Sequence, residues 1–133
     1  MLYLTRQEIL DKVVEHFTEQ GCPSVNEDND DVSCLYRTEN GHKCAVGIFI
    51  PDELYNPDME GLNSGTLIGK FPGVLEAGGV DTEQDQDFMR FLQTAHDSAA
   101  DDQRLLGTAP FVDNLLQRLR DVAETYNLVL RSN

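Results

Sequence analysis

The side chains best suited to covalent chemistry in this chain are Cys44 and His96. A thiol hydrolase or amide-transforming enzyme needs a cysteine whose thiolate is favoured by a helix N-terminus or an imidazole. It also needs a base oriented by a third group. Cys44 opens a short apolar run (Cys44-Ala45-Val46-Gly47), follows Lys43 and precedes a histidine, which fits that order. Asp97 invites the third role, but neighbours on a helix point about 100° apart, so Asp97 is not expected to reach the ring of His96. Asp52 or Asn63 would have to serve instead. The ordinary reading makes Cys44 a small core residue and His96 a hydrogen-bonded helix histidine. It is the preferred one, because free cysteine is among the most buried residue types.

Other groupings point to metals or acid–base work and fit less well. Cys34, His42 and Cys44, with Cys22 or His96 as a fourth ligand, have only one close pair, whereas structural zinc sites usually place ligands two to four residues apart at a knuckle. No metal and no cofactor is therefore expected. A calcium loop starting at Asn26 fails at its sixth position (Asp31, not glycine) and at its closing position (Arg37, not glutamate). The carboxylates of Asp52, Glu53, Asp58 and Glu60 suit helix starts and turns without any chemistry. Three cysteines, an odd number, suggest free thiols in a reducing compartment. A Cys34–Cys44 bridge fits neither hairpin register around Gly41: a two-residue turn sets Arg37 opposite Cys44, a four-residue loop sets Leu35 there.

The 133 residues include 24 acidic and 10 basic side chains, a formal net charge of −14. A phosphate backbone would be repelled, so direct nucleic-acid binding is disfavoured. No apolar run approaches the roughly 18 residues a membrane span needs, and the N-terminus does not read as a secretory signal. A cytoplasmic location is the expectation. A field of this size speeds encounter with a basic partner, although solubility alone also accounts for it.

The elements that would position these groups begin with a helix over about Arg6–Gln20. A Thr5/Glu8 capping box opens it, Ile9, Leu10, Val13, Val14 and Phe17 form its apolar stripe, and Gly21 stops it. Asn40-Gly41 signals a β-hairpin, with Val32–Arg37 and Lys43–Ile50 as its strands, although Cys44–Gly47 reads equally as a buried helical turn. Pro51 suits a helical turn ended at Asn56-Pro57. The glycine-rich stretch 61–79 reads as an irregular, packed connection. A second helix is expected from Thr82 to about Ala99 or Ala100, and a third from about Pro110 to Tyr126 with Asn127 as its cap. Leu128–Leu130 would fold back or add a short strand. The sum is one α+β domain over residues 1–133, with three main helices packed on a short β-hairpin.

The central string Arg37-x3-Gly41-x-Lys43-Cys44-Ala45-Val46-Gly47-x2-Ile50-Pro51-Asp52-Glu53, continued as Tyr55-x-Pro57-x-Met59-Glu60-Gly61, resembles a group of small proteins carried by bacteriophages and prophages. Leu92-Gln93-x2-His96-Asp97 extends the likeness. The resemblance implies an origin rather than a reaction, and by analogy an accessory protein that redirects host machinery. Charge and resemblance together give the leading expectation: a non-enzymatic protein that binds and inhibits a host defence or nucleic-acid-handling protein through its basic surface. Asp11, Glu15 and Glu19 on the first helix, with Asp85 and Asp87 on the second, would supply the steering. The alternative is a cysteine-dependent hydrolase or deamidase using Cys44 and His96. A third reading is a small-metabolite sensor built on the glycine-rich middle.

Overall fold

The computed structural model describes residues 3–25, 34–106 (backbone alone over 104–106) and 111–130. The acidic stretch 26–31 and its calcium reading lie outside the described residues, as does Pro110.

Helix α1 spans Arg6–Gln20. Thr5 Oγ1 accepts from the Glu8 N–H at 3.1 Å while the Glu8 carboxylate accepts from the Thr5 N–H at 2.9 Å, so two otherwise orphaned donors are satisfied. Gly21 closes the helix in the left-handed region, with φ 73°. The stripe read from the sequence is the face that packs: Ile9, Leu10, Val13 and Phe17 are fully buried. Each such side chain contributes roughly 1.5–3 kcal/mol by leaving water.

The glycine-rich connection contains two helices that the sequence reading did not anticipate, α2 (Ser64–Lys70) and α3 (Val74–Ala77). Asn63 starts α2 by accepting from the Thr66 N–H at 2.8 Å. Helix α4 runs over Thr82–Leu106 with a break at Asp85 (φ −112°, ψ 15°), extending beyond the expected end near Ala100. Helix α5 spans Phe111–Thr125. Past it, Asn127 takes φ 57°, and the tail folds back so that Val129 exchanges hydrogen bonds with the Gln7 amide at 2.8 and 2.9 Å. Helix α4 packs against α5 and α2, and α1 against α5. The buried residues of all these elements form one cluster.

The expected α+β arrangement is not what the chain adopts: the described residues contain no strand. The turn at Asn40-Gly41 is present, with Gly41 at φ 87°, but it leads only to isolated antiparallel bridges, Arg37 with Lys43 and Val25 with Cys34. Side chains from elsewhere take the hydrogen bonds a ladder would use. The N–H groups of Tyr36 and Arg37 donate to the Glu60 carboxylate at 2.8 and 3.1 Å. Lys43 N–H donates to Gln20 Oε1 at 2.9 Å and Val46 N–H to Gln93 Oε1 at 2.9 Å. A backbone satisfied this way gains nothing from pairing in a sheet. The observed register sets Tyr36 against Cys44, whose N–H donates to the Tyr36 carbonyl at 3.4 Å. All three cysteines are free thiols.

After this turn the chain follows the helical alternative. Tight helical turns occupy Gly47–Phe49, Asp52–Leu54 and Pro57–Met59. They press against their surroundings so closely that a side chain at Gly47 would collide with the Tyr36 carbonyl, and one at Gly78 with the Phe49 carbonyl.

Candidate functional site

The surface of α4 that meets Cys34–Tyr36 and the start of α2 leaves a cleft of about 480 Å³. Gln93, Asp97 and Asp101 face it from α4 at helical i, i+4 spacing. Cys34, Tyr36, Asn63 and Ser64 contribute from the opposite side. Its volume falls within the roughly 300–1,000 Å³ usual for small-ligand pockets.

Behind the cleft wall stands His96, completely buried. Its ring packs between Phe17 of α1 and Phe111 of α5, with centroid distances of 5.4 and 5.6 Å. The Ser24 N–H donates to Nε2 at 3.1 Å, so Nε2 carries a lone pair and the ring proton sits on Nδ1. That proton is donated to Asp97 Oδ1 at 2.9 Å. The sequence argument that Asp97 cannot reach this ring is therefore corrected. The angle between neighbouring Cα–Cβ bonds does not fix the ends of the side chains, and Nδ1 is the ring nitrogen nearer the backbone. Gln93 Nε2 donates to the same Asp97 oxygen at 2.8 Å. The carboxylate, with its side chain 44% exposed, is thus fixed by His96 and Gln93, and the Cys34 side chain hydrogen-bonds it as well.

Cys44 and His96 do not form a nucleophile–base pair in this arrangement. Cys44 is fully buried, its sulfur accepts from the Gly47 N–H at 3.3 Å, and both ring nitrogens of His96 are engaged elsewhere. Burial pushes the Cys44 thiol up to about 12, the Gly47 hydrogen bond only partly opposing it. A thiol so held is not a nucleophile near neutral pH. Cys34 also sits high, first through burial and then through the adjacent Asp97 and Asp101 charges.

The structure divides the sequence-derived zinc set. His42 lies against Cys22, with Sγ 3.6 Å from Nδ1 and 3.5 Å from Nε2. The near-equal distances put the sulfur off the lone-pair axis of either nitrogen. Elsewhere, ligating atoms of Cys34, His96 and Asp97 come within 4.8 Å of one another. A metal on His96 Nδ1 would leave a proton on Nε2 facing the Ser24 N–H, donor against donor, whereas metal-bound histidines direct their second nitrogen at an acceptor. The geometry fits a hydrogen-bond relay better than a metal centre.

Among the carboxylates singled out from sequence, Glu15, Glu19 and Asp87 are exposed. Asp11, half-buried, accepts from Gln7 Nε2 at 2.9 Å. Asp85 is 3% exposed and held by Arg6 Nε at 2.7 Å, so it joins α1 to the break in α4 and presents nothing to a partner. Asp52 pairs with Arg37 at 2.9 Å and Lys43 at 3.6 Å, and Tyr55 Oη donates to Glu60 at 2.6 Å. These are structural roles. The sequence reading did not single out Gln93 or Asp101 as site residues. The signal was present as a polar i, i+4, i+8 series on one face of α4.

No protein-family model, curated protein or solved structure matches the chain. Among the described residues, no helix is long and apolar enough to cross a membrane.

Proposed function

We propose that this protein is a non-enzymatic binding protein that recognises a basic surface on a partner protein. The observation that carries the reading is the stripe of exposed carboxylates on α1. Glu8, Glu15 and Glu19 lie within a narrow angular band of the helix and all face solvent, with Lys12 the cation among them. On α5, Asp113, Asp121 and Glu124 are likewise exposed. Such rows of like charge cost little stability at the surface but attract a complementary partner over about a Debye length, 8 Å at physiological salt. The phage-type resemblance makes a host protein the expected partner, and competition with nucleic acid for a basic groove the expected means of inhibition.

The test is capture from a bacterial lysate by the immobilised protein, alongside a Glu15→Lys, Glu19→Lys variant. The reading expects basic proteins to be retained by the native chain, lost from the variant and released as ionic strength rises. Equal retention by both chains would refute it.

A further inference from the structure

We infer that the contact between Ser24 and His96 is an acid-operated latch: protonation of the His96 ring releases the segment around Ser24. The ring is completely buried, and its two nitrogens do opposite work. Nδ1–H donates to Asp97 Oδ1 at 2.9 Å, while Nε2 accepts from the Ser24 N–H at 3.1 Å. Only a neutral ring can hold both partners, because an imidazolium donates at each nitrogen and accepts at neither. A proton gained at Nε2 sets two N–H groups against each other across 3.1 Å in a fully buried place. The Asp97 end survives, since a carboxylate accepts Nδ1–H in either charge state of the ring. Asp97 therefore does not choose between the closed and open arrangements, and Ser24 does.

The ring is the fixed side of this contact. It lies between Phe17 of α1 and Phe111 of α5 and is tied to its own helix through Asp97. Ser24 stands outside any helix, as a hub between irregular segments. Its carbonyl accepts from the Leu35 N–H at 2.9 Å, and its Oγ donates to the carbonyls of Leu35 at 2.6 Å and His42 at 3.3 Å. The next residue, Val25, bridges Cys34. Opening at His96 thus loosens residues 34–36, which line the cleft, while the Cys34 hydrogen bond to Asp97 keeps them tethered to α4. The other ionisable groups on this side are Cys34 itself, within 4.8 Å of the ring nitrogen and the Asp97 oxygen, and Asp101, whose charge acts on Cys34. From α1 and α5 the ring meets phenyl groups; His16, beside Phe17, is bonded to Gln20 at 2.7 Å. Proton uptake at one buried histidine is a local event with a defined moving part, the form that histidine switches take.

The experiment measures amide hydrogen exchange on the full ¹⁵N-labelled chain from about pH 8 to about pH 5, the range in which histidine side chains change charge. Closing the latch sheds one proton. The protection of the Ser24 and Leu35 amides is therefore expected to fall with acid, by up to about tenfold per pH unit, while that of Val13 in α1 does not follow. The His96 ring nitrogens, observed in the same samples, should pass from the Nδ1–H tautomer to the doubly protonated ring with the midpoint of the Ser24 amide shift. His96→Gln offers an uncharged acceptor near the place of Nε2 and should keep Ser24 protected throughout, whereas His16→Gln should respond as the native chain does. Protection indifferent to acid, an equal fall at Val13, a fall that tracks the Asp97 carboxyl instead of the ring, or a fall that persists in His96→Gln would each overturn the inference. If His96→Gln does not fold, the native midpoints decide: coincidence of ring and Ser24 amide supports the latch, and separation of the two overturns it.

Discussion

Replacing His96 with alanine separates a structural histidine from a catalytic one. Removing the ring leaves the Ser24 N–H without its acceptor, a buried unsatisfied donor that costs about 1–3 kcal/mol. It also removes the contacts with Phe17 and Phe111. Aromatic pairs contribute about 0.5–1.5 kcal/mol beyond area burial, and the cavity left between three helices adds to that. The expected loss is about 3–5 kcal/mol, a large share of the 5–15 kcal/mol typical of a whole domain. With a urea m-value of about 2 kcal/mol/M, the unfolding midpoint followed by circular dichroism falls by about 2 M. His96→Phe retains much of the packing and isolates the lost acceptor, with an expected cost of about 1–3 kcal/mol. A loss below about 1 kcal/mol for alanine, or a gain in stability, would refute the placement of His96 as a core residue.

Three further outcomes follow from the same geometry. The unfolded Cys44 thiol ionises near its ordinary value of 9.0 and the folded one near 12. The unfolded state therefore loses its proton first, and this contribution to stability is intact below about pH 9. It declines by about 1.4 kcal/mol per pH unit as pH rises from there toward 12. Denaturation curves at about pH 8 and about pH 10 check this, and Cys44→Ala should flatten the decline. Asp85→Asn should cost about 1–3 kcal/mol in thermal or urea unfolding, because Arg6 loses a partly buried charge partner. Asp87→Asn, at the surface, should stay within about 0.5 kcal/mol. Gly78→Ala should destabilise by about 1–3 kcal/mol or more, since its methyl group meets a backbone carbonyl that cannot swing aside; a soluble, native-like variant with an unchanged midpoint would contradict this.

What the sequence disclosed was whatever local chemistry decides. Helix α1 is legible to the residue because Thr5, Glu8 and Gly21 mark its ends with side chains and backbone freedom of their own. The Asn40-Gly41 turn is also a local matter and forms. The strands flanking it are not local, and they fail because Gln20, Glu60 and Gln93 supply their hydrogen bonds from 23 to 47 residues away. Helix α2 was hidden by its glycines, although Asn63 carried a start signal. The same distinction governs the site. That His96 would be a hydrogen-bonded helix histidine was the preferred reading, but the identity of its partner Ser24, 72 positions away, was beyond any local pattern. Asp85 reads as a solvent-facing carboxylate near a helix start; its burial depends on Arg6, 79 residues earlier.

The measurement that bears most directly on the anionic-surface account is the salt dependence of affinity for a captured partner, by titration calorimetry on the native chain and the Glu15→Lys, Glu19→Lys variant. The account predicts that the native affinity falls steeply as salt rises, that the variant binds weakly with a shallower dependence, and that both unfold at the same temperature. An affinity indifferent to salt, or a variant that binds as tightly as the native chain, would contradict it.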